Sequence, residues 1–347
     1  REYPLPAAAP VVGYDSLSFG QTGLEAALDG VLRGEEGRDP ARAWWENLLF
    51  GGPEVGLDAA LTLDAGLQQA GMDALVFGSE PRRRGALGVV GVGTPTYPTG
   101  EILALASAPF FDPNTLDSDW DKLRADPDSP LLNRATQGRY APGSILRPLW
   151  LAAAHDLGRA RPEDLTPDEV RRALEAFGLF EPPASELETT ASEPFYPADA
   201  QQEVAGEGQL TISPLQLALL GAMLAADGRR FRTASPALWL VTRRQTFAGW
   251  QAIAPPGNPA QRCSPAAAAA GRSAFSSFSD SPWDGLELLA TVESGPQNQS
   301  LGWYLAMVPA DRPRFVVVVL LENSDGAAAA EIGREMLRRV AGTEAAR

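Results

Sequence analysis

The 347 residues carry 44 acidic against 29 basic side chains, a formal net charge of −15. With no basic run beyond Arg82-Arg83-Arg84, that charge excludes a nucleic-acid partner, whose phosphates it would repel. A single cysteine, Cys263, and a single histidine, His155, exclude an intramolecular disulfide and a structural zinc site built on those ligands, and nothing calls for a metal or cofactor.

Residues 1–58 are rich in Gly and Pro, with one helix expected around 24–32, and read as an appendage that packs on something else. From residue 61 the texture changes. Thr62 or Asp64 can cap a helix whose apolar positions Leu67, Ala70, Ala74 and Leu75 recur at helical spacing. Residues 85–109 give two strand-like runs around a Pro/Gly-rich turn, a hairpin. Residues 110–141 read as loop, punctuated by Pro113, Pro127 and Pro130.

Residues 144–158 form an almost wholly apolar helix that belongs in the centre of the fold, and a second starts where Ser213 caps and Pro214 takes the first helical position. Between them, 162–180 is amphipathic and 181–208 mostly irregular. The small-residue-rich stretch 264–282 reads as a mobile connection. Three strands follow, "LELLATVE", "LGWYLAMV" and "FVVVVLLE", then an amphipathic helix at 327–341. The most apolar run, 315–321, is a strand in length, and no run is long enough to span a bilayer. The class is α+β: an antiparallel sheet with helices on its faces.

Five segments, in order, resemble the transpeptidase domain of class B penicillin-binding proteins: "LTLDAGLQ", "GEILALASAPFFDPN", "NRATQGRYAPGSILRP", "GEGQLTISPLQLALLGAMLAADG" and "GWYLAMVPADRPRFVVVVLLEN". Residues 1–58 are similar to the end of the pedestal module that precedes that domain, leaving 59–347 as the transpeptidase-like domain. The resemblance implies the β-lactamase-like fold: a five-stranded antiparallel sheet flanked by helices, plus an all-helical region, with the active site between. It also implies an extracytoplasmic place at the cell envelope, reached through a membrane anchor outside this sequence.

That family works through S-x-x-K, S-x-N and K-T-G. Serine and lysine one helical turn apart let a neutral amine take the hydroxyl proton. Here Ser144 falls on the nucleophile and Arg147 on the lysine, and a guanidinium is not a credible base because its pKa stays above about 12. No Ser-x-Asn occurs in the chain; "RARPEDL" stands where the family carries the helices bearing it, as a deletion would leave it. Aligning "ATVESGPQ" puts Glu293, Ser294 and Gly295 on K-T-G, so a carboxylate replaces the cation that attracts the substrate's carboxylate. Across about 4 Å that opposes binding by about 1 kcal/mol in water and about 4 kcal/mol at a protein-like dielectric.

Two structural expectations follow: Ser144 as the N-cap of a buried helix, and an Arg147–Glu293 ion pair plugging the cleft. Other chemistry fits less well. His155 lies 11 residues after Ser144, about 16 Å along a helix at about 1.5 Å per residue. Asp117/Asp119 and Asp126/Asp128 read as solvated charges, "GVVGVGTPTYPTG" lacks a phosphate-loop pattern, and Trp44-Trp45 read as packing. The expectation is a pseudo-transpeptidase that serves as a structural or regulatory partner of cell-wall synthesis or division proteins. The competing readings are an enzyme that acylates Ser144 through an atypical base, binding stem peptide or β-lactam, and a module that binds a wall fragment.

Overall fold

The computed structural model describes residues 1–36, 45, 49, 56–76, 83–92, 100–230, 240–246, 249–253, 260–280, 283–294 and 299–345. Its centre is a six-stranded antiparallel sheet. The strands are β1 (Arg84–Gly91), β2 (Ile102–Ala108), β3 (Ser276–Asp280), β4 (Trp283–Ser294), β5 (Gln299–Val308) and β6 (Phe315–Glu322), in the order β3-β4-β5-β6-β1-β2. β3 is the addition to the five strands expected. It lies in the stretch expected to be a mobile connection and pairs only with the first five residues of β4, 283–287.

Both faces of the sheet are covered, which explains the unbroken apolar run of β6. Along β5, Trp303, Leu305 and Met307 enter one core and Tyr304, Ala306 and Val308 the other. The second core is closed by α1 (Ala65–Val76) and α8 (Gly326–Ala345). Asp64 starts α1 as expected, its carboxylate accepting the Gly66 and Leu67 amides at 2.9 and 3.0 Å. The first core holds the helices expected to be central, α3 (Arg147–Asp156) and α6 (Pro214–Ala225). α6 is apolar all round and buried from Pro214 to Leu224, and a capping box joins Ser213 and Gln216 at its start.

Three stretches expected to be irregular contain helices. α2 (Leu116–Ala125) interrupts the proline-rich 110–141, with Asp117 and Asp119 in its first turn and Lys122 and Arg124 in its last, the order the helix dipole favours. α5 (Ala200–Ala205) lies in 181–208, after the amphipathic α4 (Pro167–Ala176). α7 (Pro265–Arg272) is capped by Ser264, whose small neighbours let it lie close to α3: a Cβ on Gly271 would come within 2.7 Å of the Pro148 carbonyl oxygen. In the N-terminal segment the helix expected at 24–32 is two short ones, Gly23–Ala27 and Asp29–Leu32, broken at Leu28. This segment packs on α2, with Phe19 stacked on Trp120 at 4.2 Å.

Candidate active site

The segment leading to Ser144 is held at nearly every residue. Asn133 donates to the Pro10 carbonyl at 2.6 Å, and Tyr140 exchanges backbone hydrogen bonds with Ile212. Arg134 is buried. Its Nη1 and Nη2 donate to the Ser129 and Asp128 carbonyls at 3.1 and 2.6 Å, and its Nε to Glu322 Oε1 at 2.9 Å. Glu322, at the end of β6, also accepts the Tyr140 hydroxyl at 2.9 Å and pairs with Arg84 Nε at 3.1 Å. Burial, with the Glu322 charge beside it, pushes the Tyr140 phenol far above its ordinary pKa, so it stays a donor. Trp303 completes the anchor by donating to the Ala141 carbonyl at 3.0 Å.

Gly143 then turns the chain with φ +55°, a conformation that L side chains rarely adopt. A Cβ there would lie 2.2 Å from Val292 Cγ2 on β4, and one on Gly206, at the end of α5, would lie 2.2 Å from the Gly143 carbonyl carbon. The turn is wedged between a strand and a helix end, and glycine on both sides permits the approach. Residues Gly143–Leu146 form a single 3-10 turn and α3 begins only at Arg147. Ser144 therefore does not cap the helix. Leu146 holds that position, without a side-chain hydrogen bond. The Ser144 hydroxyl is exposed and has no hydrogen-bond partner among the described residues.

Arg147 is exposed on the same side, and the plug expected of it does not form. Its Nη1 lies 3.6 Å from Glu163 Oε1, not against Glu293. Strand alternation gives the reason. Leu286, Leu288, Ala290 and Val292 of β4 join the core that includes Ile145 and Leu146. Glu287 bonds Tyr304 and Arg334 and Thr291 accepts the Gly326 amide, both on the α8 side. Glu293, exposed, follows that second set. The residue of β4 that meets the nucleophile turn is Val292, so at this contact the structure has an apolar group rather than a reversed charge. Ser294 pairs in register with Gln299, and Gly295 lies outside the described residues.

Where the S-x-N helices would stand, the connection is short and finished. α3 closes with the Gly158 amide on the His155 carbonyl and the Arg159 amide on the Ala154 carbonyl, Gly158 being left-handed at φ +64°, a Schellman turn. Seven residues after Arg159, Thr166 caps α4 in a capping box with Glu169. Arg159 reaches across to Glu169 Oε1 at 2.7 Å, and with the Thr166 amide holds that carboxyl's pKa down to about 2. Glu163, the partner of Arg147, lies in this connection and was not singled out from the sequence. No pattern in the chain pairs residues 16 apart across a deletion.

His155 is exposed near the far end of α3. Lys122, the chain's one lysine, is on α2, which packs on the N-terminal segment. Trp45 is 54% exposed, and Trp44 and the glycine-rich 93–99 lie outside the described residues. Among the described residues no group of three or more His, Cys, Asp or Glu side chains is placed to hold a metal, and no helix is long and apolar enough to cross a membrane.

The profile of the penicillin binding protein transpeptidase domain matches residues 97–169, which include the whole anchored segment and the Ser144 turn. The crystal structure of penicillin-binding protein A from Mycobacterium tuberculosis superposes with a TM-score of 0.80 at 26% identity, over 97% of this chain and 93% of that one. This chain has the fold of the penicillin-binding protein transpeptidases, and its nucleophile segment matches their transpeptidase domain. The penicillin G acyl-enzyme complex of the same M. tuberculosis protein superposes with a TM-score of 0.78, at 26% identity and over 97% and 93% of the two chains. The peptidoglycan D,D-transpeptidase PbpA of Mycolicibacterium smegmatis is 29% identical over 414 positions, 96% of this chain and 82% of that protein. An alignment of 414 positions to a chain of 347 leaves at least 67 without a counterpart here.

Proposed function

We propose that this penicillin-binding-protein domain keeps the transpeptidase scaffold without its acyl transfer. It acts outside the cytoplasmic membrane, by contact, as a structural or regulatory partner in peptidoglycan synthesis or cell division. One observation carries the reading: the turn that presents Ser144 is intact, yet the side chain one turn on, where the family carries its basic amine, is a guanidinium. The group one turn away is a guanidinium engaged with Glu163, and the chain's only lysine is on α2. A general base must be within hydrogen-bond reach and able to be neutral, and Arg147 fails the second condition. Val292, the β4 residue that meets the nucleophile turn, supports the same reading, because an apolar side chain offers a substrate carboxylate no attraction there.

Incubation with a labelled penicillin followed by intact-mass analysis tests this, with no adduct expected over hours. An adduct that disappears in Ser144→Ala would sink the reading and favour the second one, an acyl-serine transpeptidase with an atypical base. That second reading draws on the free Ser144 hydroxyl and on the solved relative, whose penicillin G acyl-enzyme has this fold.

A further inference from the structure

We propose that the hairpin of strands Val241–Thr246 and Gly249–Ala252 is a docking edge for an acidic, extended peptide segment of another protein, which adds to it as a further β-strand. Ala59–Leu61, Val241–Thr246 and Gly249–Ala252 form, in that order, a small antiparallel sheet apart from the central one. Gly249–Ala252 is therefore an edge, and all four of its residues are exposed. Two hydrogen bonds fix the ladder. The Gln245 amide donates to the Asp58 carbonyl at 2.7 Å, and the Ile253 amide to the Thr242 carbonyl at 2.9 Å. Successive residues of an antiparallel strand alternate in the direction of their backbone groups, so Trp250 and Ala252 turn N–H and C=O away from the middle strand. Among the described residues no strand lies along that side. An uncovered edge with its backbone groups outward is a template for a further strand.

Charge indicates the partner. Residues 228–279 hold seven arginines and none of the chain's 44 acidic residues. Two of those arginines are on the hairpin. Arg243 is exposed, has no ion-pair partner among the described residues, and its guanidinium carbon sits 5.6 Å from the centroid of the Trp250 ring. Cation and indole thus stand together on one face, with Trp250 51% exposed, and Trp and Arg are the side chains enriched where interfaces gain most of their affinity. On the other face Arg244 lies 3.7 Å from Glu36, both partly exposed, so a carboxylate of this chain already approaches the hairpin. A second copy is the wrong occupant. Pairing the same edges would set the arginines of both copies against each other, with no carboxylate from 228–279 to separate them.

The test is an NMR titration of the full chain with acetyl-Thr-Glu-Val-Glu-Val-Thr-amide, its lysine-for-glutamate counterpart and phosphatidylglycerol vesicles, following the Trp250 and Ala252 amides. Saturable shifts with the acidic peptide and slowed hydrogen exchange at those two amides are expected, with the lysine peptide binding at least about tenfold more weakly. Arg243→Glu should reverse that preference. Ala252→Pro should abolish binding and leave the sheet folded, because it removes an outward N–H and edge strands tolerate proline at such positions. No saturation by about 1 mM acidic peptide, equal binding of both peptides, or binding that survives Ala252→Pro would overturn the proposal. Binding to vesicles alone would overturn it in favour of a lipid surface, and a dimer in sedimentation that Ala252→Pro dissolves would overturn it in favour of a second copy. A penicillin adduct on Ser144 with peptide binding intact would remove only the non-acylating reading and leave the docking edge standing.

Discussion

The residues before Ser144 and those after it are built on opposite principles. From Asn133 to Ala141 most side chains and carbonyls are tied down, around a half-buried carboxylate that serves Arg84, Arg134 and Tyr140. From Ser144 to Glu163 the polar side chains are exposed, and Ser144 and Arg147 themselves are held by one long ion pair at most, that of Arg147 with Glu163. The contrast shows that the two parts answer to different demands. The anchor is needed for the fold to close, whereas the reactive face is needed only for chemistry.

Substitutions that cross this divide can break or sharpen it. The largest effect belongs to Glu322→Ala, which strands the buried Arg134 and should cost about 3–5 kcal/mol in urea unfolding, as breaking a buried pair does. Gly143→Ala should cost about 1–3 kcal/mol through overpacking on Val292 and a strained φ. Val292→Ala in the same chain should recover part of it, and an additive double-mutant cycle would refute the wedge. Gly158→Ala, at a left-handed cap with open space around it, should cost about 1–2 kcal/mol from backbone strain alone. Arg147→Gln, by contrast, should change stability by less than about 1 kcal/mol. A larger loss would mean that the reactive face is structural after all.

Acid titration probes the connection between the two. The Glu169 carboxyl has a folded pKa of about 2 against an ordinary 4.5, lowered chiefly by Arg159. Its contribution is fully present above about pH 4.5 and is lost as the pH falls towards about 2, since protonation then favours the unfolded chain. Glu169→Gln should flatten the stability curve in that window and leave its neutral-to-alkaline part parallel to the wild type.

Much of this architecture was legible beforehand, because its signals are local. The short, β-branched apolar run at 315–321 gave a strand, Ser213-Pro214 gave a helix start, and a nearly featureless apolar helix gave a central position. α2 was missed because the prolines around it outweighed Leu116, Trp120 and Leu123 at helical spacing, although its end charges were also helical. At the reactive site the sequence showed the loss of an amine at Arg147. It misplaced the partner of that arginine, since Glu163 and Glu293 differ only in which side of the sheet and which connection carries them.

The sequence by itself determined that no lysine stands one turn after Ser144, that no Ser-x-Asn exists, and which segments alternate or cap. Only the tertiary structure decided that Val292 meets the nucleophile turn, that Glu163 meets Arg147 and that Glu322 gathers three donors. Propensity and periodicity act over a few residues along the chain, whereas contacts between charges and wedged glycines depend on which distant segments the packed core brings together.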